Sequence, residues 1–139
     1  MTALLLIALF CTALLFGGMA FFAAIIAPLV FRLLPPDPAG RFLRGVFPAY
    51  YLWVLATSAA AAISLFPLSK FDSGLMAAIA ALTLWLRQVL MPRINALSDR
   101  AKAGDERARR GFDLAHRLSV AANLVQLLGA GVVLAGFFL

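Results

Sequence analysis

Charge is what this sequence has least of. Only 13% of its 139 residues are charged, against about a quarter in an ordinary soluble domain. No charged residue precedes Arg32. Cysteine is almost missing too. A lone Cys11 excludes an internal disulfide, and it sits inside an apolar run where it reveals nothing about redox compartment. There is one histidine, His116, so the several converging ligands of a zinc or copper site are not supplied, and the methionines are scattered. No phosphate loop, dinucleotide fingerprint or nucleophile–base pairing occurs. These absences point away from an enzyme and predict no resident cofactor.

Apolar residues fill the space that charge leaves. They make up 64% of the chain, mean hydropathy is +0.99, and they fall in blocks near the ~20 residues that cross a bilayer. Backbone polar groups in lipid must bond internally, so each block is expected to be helical. The predicted class is all-α, an integral membrane four-helix bundle running up-down-up-down in a single domain. The first helix, about residues 3–34, should stop at Pro35-Pro36. The second, about 38–66, takes Asp37 as cap and Pro38 as first helical residue. The third, about 73–103 with a kink near Pro92, is capped by Asp72 or Ser73. The fourth, about 105–138, follows a C-terminal Gly104 and opens on Asp105-Glu106. With no basic n-region and an apolar run from Ala3 to Phe31, the first block reads as a retained span, not a cleaved signal.

The net charge of +6 does not suggest nucleic acid, because no soluble module carries it. It orients the chain instead. Eleven Lys and Arg residues lie on the side of the first and third turns, and only Lys70 lies on the other. The positive-inside rule then puts both termini outside the cytoplasm, in a bacterial inner membrane, with the third and fourth helices extended into the cytoplasm.

Polar residues gather near that basic side. Taking ~100° per residue, His116, Ser119, Asn123 and Gln126 share an arc of about 80° on the fourth helix. Gln88, Asn95 and Asp99 share a face of the third, where Arg87 also enters the inner membrane. Pro28, Pro48 and Pro92 each leave a carbonyl one turn back without its usual donor. Such groups either glue helices together or line a path. Asp113 or Asp99 would be the partner of His116. Tyr50 and Tyr51 are expected at the interface, with Trp53 one turn deeper. Ala13 with Gly17, and Gly131 with Ala135, form small-xxx-small pairs that suit helix packing or a homo-oligomer.

The segment Ala39-Gly40 through Phe47-Pro48-Ala49-Tyr50-Tyr51, with Met91-Pro92-Arg93-Ile94-Asn95…Asp99 and Phe112-Asp113-Leu114-Ala115-His116-Arg117-Leu118-Ser119…Asn123, resembles the transmembrane-protein-205-like family. Gly17, Phe21, Ala27-Pro28 and Phe31 fit the same pattern. The resemblance implies a four-helix membrane protein of undefined activity, whose eukaryotic relatives are associated with cisplatin resistance. A more distant likeness of layout connects it with four-helix copper-resistance and haem-biosynthesis proteins. A single histidine excludes a bis-histidine haem within one chain.

Together these features predict a small membrane protein with a polar, cytoplasm-facing cavity between the third and fourth helices. Arg87, Gln88, Asn95, Asp99, Asp113, His116, Ser119, Asn123 and Gln126 would line it, and it would bind or pass a small solute or ion. The alternatives are a haem- or metal-dependent redox protein using His116 and a structural subunit of a larger membrane complex.

Overall fold

The computed structural model describes residues 2–139. Four helices, each long and apolar enough to cross a membrane, account for nearly all of them: α1 Thr2–Leu33, α2 Pro36–Leu65, α3 Lys70–Lys102 and α4 Glu106–Gly136. At ~1.5 Å per residue each is about 45–50 Å long, more than the ~30 Å hydrocarbon core. Their ends therefore reach the headgroup layer or the helices tilt. Leu, Ile, Phe and Val side chains are exposed along all four, as a lipid-facing surface requires.

Two of the expected starts shift. Pro35 occupies the cap position of α2 and Pro36 begins the helix, because proline suits a first helical residue whose N–H has no partner in any case. Asp37, released from capping, forms an ion pair with Lys102 at 2.9 Å. Helix α3 begins three residues early. Ser69, in extended conformation, accepts the Asp72 amide, while Ser73 donates to the Ala62 carbonyl at 2.8 Å and ties α3 to α2. The last turn is as expected. Gly104 adopts φ +95°, and the Asp105 carboxylate accepts the amides of Arg107 and Ala108. The Ala108 amide first, then Arg100 and last the Arg107 amide hold the Asp105 carboxyl below its ordinary value.

Two of the three prolines leave a clear mark. Phe22–Ile26 and Leu86–Leu90 are π-helical turns, closed by Ala27 N–H to Phe22 C=O and by Met91 N–H to Leu86 C=O. Each stands just ahead of a proline, Pro28 or Pro92. A widened turn admits the ring that would otherwise collide with the carbonyl four residues back. Helix α2 runs through Pro48 without one.

The helices form a ring, with each packed on the next and α4 closing on α1. One buried cluster joins all four, around Leu15, Met19, Val54, Met76, Ile79, Ala130 and Val133. A second, nearer the basic end, joins Tyr51, Leu86, Leu90 and Ala115 with no contribution from α1. Up to Phe21, α1 packs on both α2 and α4; beyond its π turn its main neighbour is α2.

Gly104→Ala should lower stability by about 1–2 kcal/mol, because φ +95° disfavours any Cβ. Gly45→Ala, in open space within α2, should be neutral or slightly stabilising. Denaturant titration of both variants in mixed micelles checks this. Equal midpoints would contradict it. The Asp105 contribution is present above the ordinary carboxylate range and should fade as pH falls through its depressed value. That acid sensitivity should shrink in Asp105→Ser, which still caps but carries no charge.

Candidate functional site

Between the second half of α1 and α4, on the basic-end side, lies a chamber of about 340 Å³. It occupies the space that α1 leaves when it turns away after Phe21. All four helices line it: Met19, Phe22, Ala23, Ala27 and Phe31 from α1; Leu43, Phe47, Tyr50 and Tyr51 from α2; Met91, Ile94 and Asn95 from α3; His116 to Leu127 of α4. Most of this lining is apolar.

The floor is aromatic. Phe22 lies 5.5 Å from Phe47 and 4.7 Å from Tyr50, and Phe47 stacks on Tyr51 at 5.6 Å. Offset and edge contacts at such distances add to the stability of the packed rings. Pro48 precedes the two tyrosines, and the helical spacing of Phe47, Tyr50 and Tyr51 puts their rings on one inward face. Tyr51 is only 2% exposed, so its ring packs inside the bundle. Trp53 packs near Gly18, where an added Cβ would lie 2.9 Å from its indole nitrogen.

One wall is polar, and its groups are bonded to each other. Tyr50 donates to Asn123 Oδ1 at 3.0 Å. The Asn123 amide donates to the Ser119 carbonyl at 2.9 Å and to Tyr51 Oη at 3.3 Å. Tyr51 and Ser119 share a hydroxyl–hydroxyl bond of 3.2 Å. Nearer the basic end, half-buried Asn95 and exposed His116 line the chamber, and neither side chain has a hydrogen-bond partner among the described residues. His116 stacks on Phe112 instead, with planes 10° apart.

The expected polar residues therefore divide into separate groups. Asn95, His116, Ser119 and Asn123 meet at the chamber. Asp99 faces α2, where Arg44 grips it at 2.8 and 3.3 Å while also donating to the Asn95 carbonyl. Gln126 is 1% exposed and crosses to α3, donating to Thr83 Oγ1 at 2.7 Å and to the Ile79 carbonyl at 3.1 Å. Gln88 and Asp113 are exposed. Arg87 is partly buried, and its Nε has no partner. Asp99 and Asp113 thus do not hold His116, and Gln88 does not meet Asn123. The hollow is not between α3 and α4 alone, because those helices close on each other through Gln126, Thr83 and the contact of Gly129 with Ile79 and Leu75.

Sequence reading overlooked Thr83, Arg44 and the aromatic floor. Thr83 had a signal, as a lone hydroxyl residue in the apolar run Ala80–Trp85. Arg44 had one too, since it sits one turn before Pro48 on the face that meets α3.

The Gln126–Thr83 bond is buried in a segment surrounded by lipid. A double-mutant cycle of Gln126→Leu and Thr83→Val should return a coupling of about 0.6–2 kcal/mol. Strict additivity of the two single variants would show that the bond contributes nothing.

No curated protein and no solved structure matches the chain. Residues 10–103 match the model of the family described as domain of unknown function (DUF4149). That stretch runs from within α1 to the end of α3 and takes in the aromatic floor, both π turns, Arg44 and Asn95. Covering well over half of the sequence, the match shows that this chain belongs to the DUF4149 family.

Proposed function

We propose that this is a non-enzymatic membrane protein that binds a small, mainly apolar molecule in the chamber between α1 and α4. The observation that carries this reading is the lining. Aromatic and aliphatic side chains enclose about 340 Å³, and a few polar groups sit on one side. That is the usual character of small-molecule sites, in which apolar walls bind and a few polar groups orient. It does not suit an ion. An ion leaving water needs charges or converging oxygens to replace its hydration, and the tyrosine hydroxyls and Asn123 are already engaged with one another. The residues expected to form a solute path thus support binding better than conduction.

The same reading places the basic end in the cytoplasm and both termini outside, in a bacterial inner membrane, as an up-down-up-down bundle. Support comes from the charge asymmetry. A homo-oligomer would use the open face of α1 at Ala13 and Gly17, since Gly131 is taken up inside the bundle against Phe16. The transmembrane-protein-205-like resemblance fits a solute-handling role and adds no chemistry of its own. A haem or metal reading through His116 is weaker, because no three His, Cys, Asp or Glu residues come together among the described residues.

Photolabelling with a neutral diazirine-bearing alkane in phosphatidylcholine nanodiscs tests the chamber. Adducts should concentrate on residues 22–31, 43–51 and 116–127. Ala27→Phe, which fills the space, should reduce them at least fivefold, while Leu29→Phe on the lipid side of α1 should not. Uniform labelling around the bundle, or ion flux in liposomes that Asn123→Ala abolishes, would overturn the proposal. Thiol labelling of Ala103→Cys from the cytoplasmic side only, in a Cys11→Ser background, is the expected topology. Labelling from outside would reverse it.

A further inference from the structure

The proposed chamber has chemically different ends, and this narrows what it would hold. Its deep end, at Met19 and Leu127, is apolar. From there to His116 is eleven residues of α4, about 16 Å at ~1.5 Å per residue. At roughly 30 Å³ per water-sized group, a volume of about 340 Å³ holds about eleven methylenes. A span of that length along α4 suits an extended chain.

The shallow end is polar and electropositive. Asn95 and His116 line it with unengaged hydrogen-bonding groups. The Arg44 guanidinium lies against the Asn95 carbonyl at 3.2 Å, with its own charge met by Asp99 at 2.8 Å, so the excess charge comes from the other basic residues. Arg32 follows Phe31, and Arg117 follows His116, directly beside lining residues. At this end of the molecule eleven basic residues face five acidic ones, so it carries the whole net charge of +6, while Lys70 and Asp72 cancel at the other end. An anion is attracted to such a rim, and hydrogen bonds to an ionised acceptor are about twice as strong as neutral ones.

We infer that the chamber binds a fatty acid of about twelve carbons. The chain lies along Phe22, Phe47, Leu124 and Leu127, and the carboxylate accepts from the Asn95 amide and the His116 ring N–H. Entry is sideways from the bilayer, through the gap that opens where α1 leaves α4 after Phe21. The polar wall fits this occupant because Tyr50, Tyr51, Ser119 and Asn123 satisfy one another and leave the chain to run past them without stranding a buried donor. This inference rests on the proposed chamber and adds the chemistry of its ligand.

Competition against the diazirine alkane label in the same nanodiscs separates the two claims. Dodecanoate should displace the label about tenfold more effectively than dodecanol, and a monoacyl phosphocholine should compete no better than the alcohol. Asn95→Ala combined with His116→Ala should bring dodecanoate down to the level of dodecanol, while the thermal midpoint of the variant in the same nanodiscs stays near that of the parent. That result distinguishes loss of head recognition from loss of fold. If the label enters the chamber and Ala27→Phe excludes it, but dodecanoate competes only as well as dodecanol, the chamber stands and the fatty-acid assignment falls. If the monoacyl phosphocholine is preferred, the occupant is a phospholipid and the assignment also falls. If no label enters the chamber, both claims fail.

Discussion

Helices in a bilayer gain little by hiding leucine from surroundings as oily as leucine. What holds them together is fit, and a few polar pairs that have no water to compete for them. Everything in this structure follows from that constraint. Where two helices fit closely, as at Gly18 under Trp53 or Gly131 under Phe16, they stay together. Where fit is lost, as between the end of α1 and α4, nothing pulls the walls in, and a hollow remains. A soluble bundle with the same gap would tend to collapse on it or fill with water. Here lipid tails border the opening, and the space stays apolar.

The polar bonds have a second effect. Each belongs to a different pair of helices: Ser73 and Ala62 join α3 to α2, Gln126 and Thr83 join α4 to α3, and Tyr50 and Asn123 join α2 to α4. Because they lie at different depths, they set the rotation of each helix as well as its neighbours. Helix α1 has no such bond in its second half. That absence, among the described residues, is the physical counterpart of the chamber on its inner side.

Much of the fold was legible in the sequence. Lipid demands long apolar helices, and prolines, glycine and acidic caps mark the ends, so four helices could be placed to within a few residues. The two misplaced starts both involve a neighbouring residue able to do the same job, Pro36 in place of Pro38 and Ser69 in place of Asp72. The site was less legible. Helical periodicity assigns residues to a face but does not say which neighbour that face meets. Asp99 and Asn123 therefore turned to α2, where the pattern of α3 and α4 had paired them with each other's helices. The aromatic floor was hidden for another reason. Tyrosine in a membrane sequence fits an outward face as well as a core, and only its bond to Asn123 on another helix shows which way it turns.

The π turns of α1 and α3 stand at the same distance ahead of Pro28 and Pro92, and both helices open a hairpin. A π turn holds one residue more than an α turn, so all that follows is out of phase by about 100° with what precedes it. In α3 the phase change is absorbed, because Leu86 and Leu90 point inward and are buried. In α1 it is not, and no residue of Phe22–Ile26 is buried. Two halves of the chain thus use one backbone device to opposite ends, one to stay sealed and the other to stay open.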